Sequence, residues 1–314
     1  MTGQAEEDLT RPRFPLYIPS KGRPTRSYTS RALTTMGLAH TIVVEEQERD
    51  AYEEQYGDNP LVTLVNLDPA YQRSYDTCDR YGSTKSRGPG PARNMIWDMA
   101  IDAGAEWHWV MDDNIYWWFR FTDNRLIRLG DGTGFRAMED FTLRYDNVGM
   151  AGPNYYMFVA ARSSYPPFVT NTRIYSCNLI RNDLPFRWRA RYNEDTDLSL
   201  RILKSGLCTI QFNAFLSKKT PTQIDKGGNT GEFYEKEGTL AKSLMLVRLH
   251  PDVARVTKRF GRTHHFVDYR PFKAMPLHRR PDAAIPTEDP YRMKLVEVTP
   301  EPWSLPNGRN AVRR

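Results

Sequence analysis

The chain has 314 residues, 39% of them hydrophobic and 12% aromatic, with 44 Lys and Arg against 38 Asp and Glu for a formal net charge of +6. That length buries a sizeable core in one large or two modest domains without staples; a mean hydropathy of −0.65 and the lack of any apolar run near the roughly 20 residues a bilayer requires argue against a membrane protein. The polar, acidic start from Met1 to Asp8 has neither a secretory nor a transit pattern, so a cytoplasmic location is the expectation, and Cys78, Cys177 and Cys208 are too few and too far apart for a disulfide framework or a cysteine zinc site.

Charge is unevenly spread. Residues 251–280 carry eight Lys and Arg against Asp252 and Asp268, so this segment alone has an excess of +6. Such an excess suits the phosphates of a small nucleotide or of a nucleic acid, and equally a plain solvated surface.

Phe14 to Pro19 is a short apolar strand, ended by Ser20-Lys21-Gly22-Arg23-Pro24. The Gly and Pro stop the strand and leave Lys21 and Arg23 in the first loop at the carboxyl edge of the sheet, where open α/β sheets bind ligands. The spacing is neither that of a P-loop nor that of a dinucleotide fingerprint. A helix over Thr25–Met36 leads to a second strand, His40–Val44, and then to Glu45-Glu46-Gln47-Glu48, acids suited either to ribose hydroxyls or to a helix N-terminus. A helix over Glu48–Tyr56 and a strand over Leu61–Val65 continue the alternation of a parallel, layered α/β domain.

A Gly- and Pro-rich loop, Gly82 to Asn94, runs into an amphipathic helix over Pro91–Ala103. Pro91 suits the first helical turn, and the cations with the helix N-terminus make either a diphosphate pocket or an ordinary surface loop. Next comes Trp107-His108-Trp109-Val110-Met111-Asp112-Asp113-Asn114, an apolar strand ending in two carboxylates and a carboxamide. Adjacent oxygen ligands suit a hard divalent cation; taken alone, the stretch reads first as a strand with an Asx-rich turn.

Ile115–Phe121 and Arg125–Leu129 form a predicted hairpin around Thr122-Asp123-Asn124. Trp117 and Trp118 are adjacent and so face opposite sides of the sheet; core packing is the commoner use of such residues, with a sugar or acceptor pocket the alternative for one of them. A helix over Gly134–Arg144 follows, then strands over Val148–Ala151, Tyr156–Ala160, Phe168–Val169 and Arg173–Ile180. Asn193 can cap a helix carrying Glu194, Asp195 and Asp197 in its first turn. Acids there stabilise the helix dipole, and a carboxylate within reach of a hydroxyl can also act as a general base. Lys218–Gly231 is either a lid or a connector. A helix with Leu240, Leu244, Met245 and Val247 precedes the basic segment, where His264 and His265 in an extended stretch point apart. Residues 271–314 are proline-rich and aperiodic, an extended tail that wraps the domain or is partly disordered.

In this order the elements resemble the GT-A glycosyltransferases, and among them the phage glycosyltransferases associated with TET/JBP-type dioxygenases. The resemblance covers most of residues 14–270 and rests on Ile18–Pro24, Gly90–Asn94, Asp112–Asn114 and Asn193–Leu198. It implies a GT-A-like (Rossmann-like) α/β fold with a mixed central sheet flanked by helices. Residues 1–13 are then a polar leader, 14–114 the nucleotide-sugar-binding half, 115–270 the acceptor and catalytic half of the same domain, and 271–314 a C-terminal tail.

The implied activity is metal-dependent transfer of a sugar from a UDP-sugar to 5-hydroxymethylcytosine in phage DNA, in the host cytoplasm. Pro19, Ser20, Lys21, Arg23, Arg93, Asn94 and Asp112 would then contact the donor. Asp112, Asp113 and Asn114 would hold Mn²⁺ or Mg²⁺, helped by His264 or His265 because Asn114 stands where the family has a final Asp. Asp195 is the expected general base, then Glu194, with Asp197 third. Trp117 or Trp188 would stack on a cytosine, and Lys258, Arg259 and Arg262 would meet DNA phosphates. A GT-A enzyme acting on protein or polysaccharide, a nucleotidyltransferase and a noncatalytic DNA-binding protein are the alternatives.

Overall fold

The structure, a computed structural model, describes residues 8–81, 87–159, 165–219, 235–259, 262–288, 290, 291, 293, 295 and 296. Strands β1 (Leu16–Pro19), β2 (His40–Val44), β3 (Val62–Asn66) and β4 (Trp107–Met111) are parallel in the spatial order β4-β1-β2-β3. Helices α1 (Tyr28–Thr35), α2 (Arg49–Tyr56), α3 (Pro69–Ser74) and α4 (Gly90–Asp102) fall between them in sequence. Because β2 lies on one side of β1 and β4 on the other, the strand order reverses at β1/β4. The crevice beyond the carboxyl ends of such a pair is where α/β sheets bind ligands.

Beyond β4 the sheet turns mixed. The hairpin β5 (Ile115–Thr122) and β6 (Arg125–Leu129) is followed by α5 (Thr133–Thr142), β7 (Val148–Tyr155), β8 (Phe168–Thr170), β9 (Cys177–Arg181), α6 (Glu194–Lys204) and β10 (Cys208–Lys219). β9 lies antiparallel between β4 and β7, while β10 runs parallel to β7 and antiparallel to β5 and β8. Helix α7 (Glu235–Leu249) packs on a separate hairpin, β11 (Ala254–Arg259) and β12 (Arg262–Val267), and a short β13 (Leu295–Val296) joins β6, which makes an 11-stranded sheet among the described residues. No helix among the described residues is long and apolar enough to cross a membrane.

Both faces of the sheet are covered. Along β1, Leu16 and Ile18 enter one core with Leu33, Tyr52 and Phe135, while Tyr17 enters the other with Trp97, Leu198 and Ile202. In β4, Trp107, Trp109 and Met111 face the first core and Val110 the second. Burial on both sides explains why β4 shows no polar alternation. Its inward polar residue, His108, is fully buried; burial holds its pKa down to about 4, and its Nδ1 meets Asn182 Oδ1 at 2.5 Å.

Several expected elements differ. Residues Tyr156–Phe158 form a 3-10 helix rather than a strand, because β7 runs on to Tyr155 in register with Ser217 of β10. The strand expected over Arg173–Ile180 begins only at Cys177. Helix α3 and strand β10, the longest strand among the described residues, had no predicted counterpart. The described part of the tail wraps the domain: Asn147 and Asn171 donate to carbonyls of Pro276, Phe272 and Met275, and Tyr291 and Met293 pack on the core.

Candidate active site

The turn after β4 is pinned before any ligand arrives. Thr29, fully buried at the start of α1, donates from its hydroxyl to Asp112 O at 2.5 Å and accepts from Ile115 N at 2.8 Å. The Thr29 amide meets Asp113 O at 3.2 Å, and Asp112 N donates to Ser176 O at 2.7 Å. The two side chains are thereby sent to different neighbours. Asp113 is buried and takes the Arg23 guanidinium at 2.7 Å and the Ser20 hydroxyl at 2.8 Å. Burial pushes its pKa up against the pull of Arg23. Ser20 also meets Tyr52 Oη at 2.7 Å, so the loop after β1 and the turn after β4 close on each other at the strand-order reversal.

Asp112 remains partly open, its side chain 27% exposed, with Arg93 Nη2 at 2.7 Å and Lys219 Nζ at 3.4 Å. Burial alone would raise its pKa, but Lys219 and Arg93 together hold it below the usual carboxylate range. Arg93 sits in the first turns of α4, where Tyr75 occupies the space that a side chain at Gly90 would need; a Cβ there would lie 2.0 Å from the Tyr75 hydroxyl. The Arg93 guanidinium spans two acids, since its Nη1 reaches Glu194 Oε1 at 2.9 Å. One buried cation therefore joins the end of β4 to the start of α6.

At α6, Asn193 adopts φ 55° and makes no side-chain cap; its amide instead donates to Lys242 O of α7 at 3.0 Å. Asp195 Oδ1 accepts from Thr196 N at 2.7 Å, and its second oxygen takes no hydrogen bond among the described residues. Burial raises the Glu194 pKa, and Asp195 and Asp112 add to that against the pull of Arg93. Asp197 is a different kind of residue. It is fully buried and tied to His250 at 2.9 Å, Arg189 at 3.1 Å and Arg201 at 2.8 Å, which hold it ionised as a structural anchor and remove it as a base candidate.

The remaining sequence candidates fall into distinct places. Pro19 ends β1, and Lys21 pairs with Glu45 at 3.1 Å beside the crevice. Asn94 is a clamp, its amide exchanging hydrogen bonds of 3.0 and 2.8 Å with the backbone of Trp188. Trp188 is 1% exposed with Arg93 stacked 4.5 Å over its ring, so it is unavailable to a nucleobase. Trp117 is half-buried beneath Arg128, 4.0 Å above its ring, while Trp118 packs in the core on Phe135. His265 feels Lys242, Arg173 and Asp195 and is pushed by burial down to about 4, which puts it near α6 and α7; His264 is its neighbour on β12. Lys258 is exposed, and Arg259 and Arg262 pair at the hairpin end, their side chains outside the described residues. The loops 82–86 and 220–234, parts of the expected diphosphate loop and lid, also lie outside them.

The fold is that of a GT-A-like glycosyltransferase, with an acidic turn at the strand-order reversal and a second acidic pair that a bridging arginine reaches. The sequence pattern of the TET-Associated Glycosyltransferase family matches residues 14–228, and the chain belongs to that family. No curated protein matches the chain.

Sequence reasoning missed two site residues. Lys219 lies at the end of the unpredicted β10, its ammonium 2.6 Å from Ser176 Oγ and next to Asp112. Thr29 carried no signal at all, since one threonine in a helix that starts two turns from a strand is unremarkable until the chain folds.

Proposed function

We propose that the protein transfers a sugar from a UDP-sugar to 5-hydroxymethylcytosine in phage DNA, with a divalent cation at the Asp112 turn. The observation that supports this reading is the Arg93 bridge: its guanidinium reaches Asp112, the acid assigned here to the donor, and Glu194, whose neighbour Asp195 is assigned here to the acceptor. Displacement at an anomeric carbon needs that separation of roles, a stabilised leaving group on one side and a base on the other.

The donor set suits Mg²⁺ or Mn²⁺. Asp112 is accessible, and the Asn114 carboxamide oxygen is buried without a hydrogen-bond partner. Cations of this kind take one or two protein oxygens and complete their shell with water and substrate phosphates. Among the described residues no three His, Cys, Asp or Glu side chains form a ready-made cage, so the donor phosphates would complete the shell. Bound there, the ion would neutralise charge on the departing diphosphate. Arg93 and Lys219 already stand at Asp112 and would bind the same phosphates. Asp195 would take the proton of the hydroxymethyl group, because Glu194 is held by Arg93 and Asp195 keeps an oxygen for the purpose. Ser20 and Arg23 hold Asp113 and thereby keep the turn in shape.

The test is to incubate the protein with a panel of UDP-sugars, Mn²⁺ or Mg²⁺, and hydroxymethylated or plain DNA, then digest the DNA and weigh the nucleosides. A hexosyl mass on hydroxymethylcytosine alone is the expected result. A nucleoside monophosphate adduct would mean a nucleotidyltransferase, and no adduct with any donor would send the search to protein or polysaccharide acceptors.

A further inference from the structure

Where β7 ends, the chain exposes apolar surface beside the acids. Met157 is 58% and Phe158 59% exposed on the 3-10 helix Tyr156–Phe158. Rings continue from there. Tyr155 meets Phe158 edge-on at 5.5 Å and Tyr156 at 6.0 Å, and Phe158 lies 6.5 Å from Tyr175. Two cations sit over these rings, Lys218 5.4 Å from the Tyr156 centroid and Arg173 4.4 Å from that of Tyr175.

This cluster is contiguous with the site on both sides. Tyr155 Oη donates to Lys219 O at 3.3 Å, and the ammonium of that lysine reaches Asp112. Tyr175 precedes Ser176, whose hydroxyl takes Lys219 Nζ and whose carbonyl takes Asp112 N. On the other side, the charge of Asp195 is felt at the Tyr175 hydroxyl. The platform thus runs from the donor acid to the acceptor base.

Resting on the glycosyltransferase reading above, we infer that this platform receives the acceptor as an unstacked nucleobase, from a single strand or a base turned out of the duplex, with Phe158 as the main stacking ring and Lys218 and Arg173 on the flanking phosphates. Charge complementarity selects this occupant: aromatic faces interleaved with cations match alternating bases and phosphates. A paired, stacked base offers its edges but not its faces, so the exposed Phe158 ring, backed by half-buried tyrosines, is of use only to a base out of the stack. Phe158, 59% exposed, differs from Trp188, which is 1% exposed beneath Arg93, and from Trp117, which is half-buried beneath Arg128.

The test measures binding by fluorescence anisotropy at fixed salt, using a labelled single-stranded oligonucleotide containing hydroxymethylcytosine and its blunt duplex. UDP binding is followed in parallel by calorimetry. The single strand should bind more tightly than the duplex. Phe158→Ala should weaken single-strand binding about tenfold, with Phe158→Trp restoring it, and Lys218→Ala should flatten the salt dependence, which Phe158→Ala should leave unchanged. Equal affinity for both DNAs, or a Phe158→Ala variant that binds DNA like the wild type, would overturn the inference. So would a change of oligomeric state in place of a change in DNA affinity, since the patch would then be a self-interface. If the wild type binds no UDP while Phe158→Ala still loses DNA affinity, the UDP-sugar reading would fall and the platform would stand.

Discussion

Replacing Arg93 with Met removes the charge that joins the two halves of the site and keeps much of the stem that packs on Trp188. The Arg93 side chain is 4% exposed, and its guanidinium is bonded at 2.7 Å to Asp112 and 2.9 Å to Glu194. Removing one partner of a buried pair costs about 3–5 kcal/mol, because the other charge is left in a poor solvent. Asp112 keeps Lys219 and is more than a quarter exposed, so most of the cost falls on Glu194, whose side chain is 15% exposed and has no second ion pair among the described residues. The lower end, about 3 kcal/mol, is therefore expected, which for a chain of this length lowers Tm by about 5 °C.

Burial already places the folded-state pKa of Glu194 above its ordinary 4.5, and Arg93 is the main influence lowering it. A carboxylate raised in the folded state binds more protons there than in the unfolded chain, so stability is lost as pH rises through the interval between the two values. Without Arg93 that interval extends further upward. The gap in Tm between variant and wild type should widen as pH rises above the ordinary 4.5 and close as pH falls below it. Thermal unfolding by circular dichroism across this range reads it directly, and turnover should fall about 10²–10³-fold through the lost leaving-group cation. A variant with wild-type Tm at pH 7, or a deficit that ignores pH, would refute the bridging role.

Asp112→Asn should retain the fold and lose Mn²⁺ and UDP binding by calorimetry; turnover in EDTA equal to that in Mn²⁺ would remove the cation from the scheme. Asp195→Asn should reduce kcat about 10²–10⁴-fold with UDP binding intact, and unchanged kcat would move the base to Glu194. Asp113→Ala should be inactive and less stable by about 3 kcal/mol, because it breaks a 2.7 Å pair whose side chains are 10% and 8% exposed; full activity would show that the turn holds without Arg23. Glu139 is fully buried beneath β4, accepts from Arg13 N, Phe14 N and Trp109 Nε1, and is pushed by burial up to about 7. Its folded value exceeds 4.5, so the wild type should lose about 3 kcal/mol as pH rises from 4.5 through 7, and Glu139→Gln should flatten that slope in urea titrations.

What could be read from the sequence divides along the range of the forces involved. The strands β1 to β4 were legible because their apolar runs and intervening helices are local patterns, and the acids of β4 and α6 because they sit at element ends. Strand β10 was not. Cys208, Ile210 and Phe212 face one core at every second residue, but the register to β7 shifts between Phe212 and Leu216, where the adjacent Ala214 and Phe215 both pack on that core. The irregularity blurs the period of two across the strand, and Lys219 was lost with it. Trp188 failed for another reason. Its burial is imposed by Asn94, 94 residues earlier in the chain, and nothing near position 188 encodes that clamp.

The charges of the site explain why so many of its acids already have partners. Arg23, Arg93 and Lys219 stand among Asp112, Asp113, Glu194 and Asp195, three cations against four acids. Four acids gathered without cations would repel one another and take up protons; the basic residues oppose that repulsion and hold the acids in place. A nucleotide diphosphate entering beside Asp112 adds negative charge to a site that is already net negative. Arg93 and Lys219 can serve it only by sharing what they now give to Asp112, so on the proposed reading an incoming divalent cation restores the balance. Donor and cation should therefore bind cooperatively: Mn²⁺ alone should bind weakly, UDP alone weakly, and each should tighten the other by the same factor. UDP affinity that is indifferent to Mn²⁺ would mean that Arg93 and Lys219 suffice for the diphosphate, and that Asp112 holds those two cations in position and coordinates no metal.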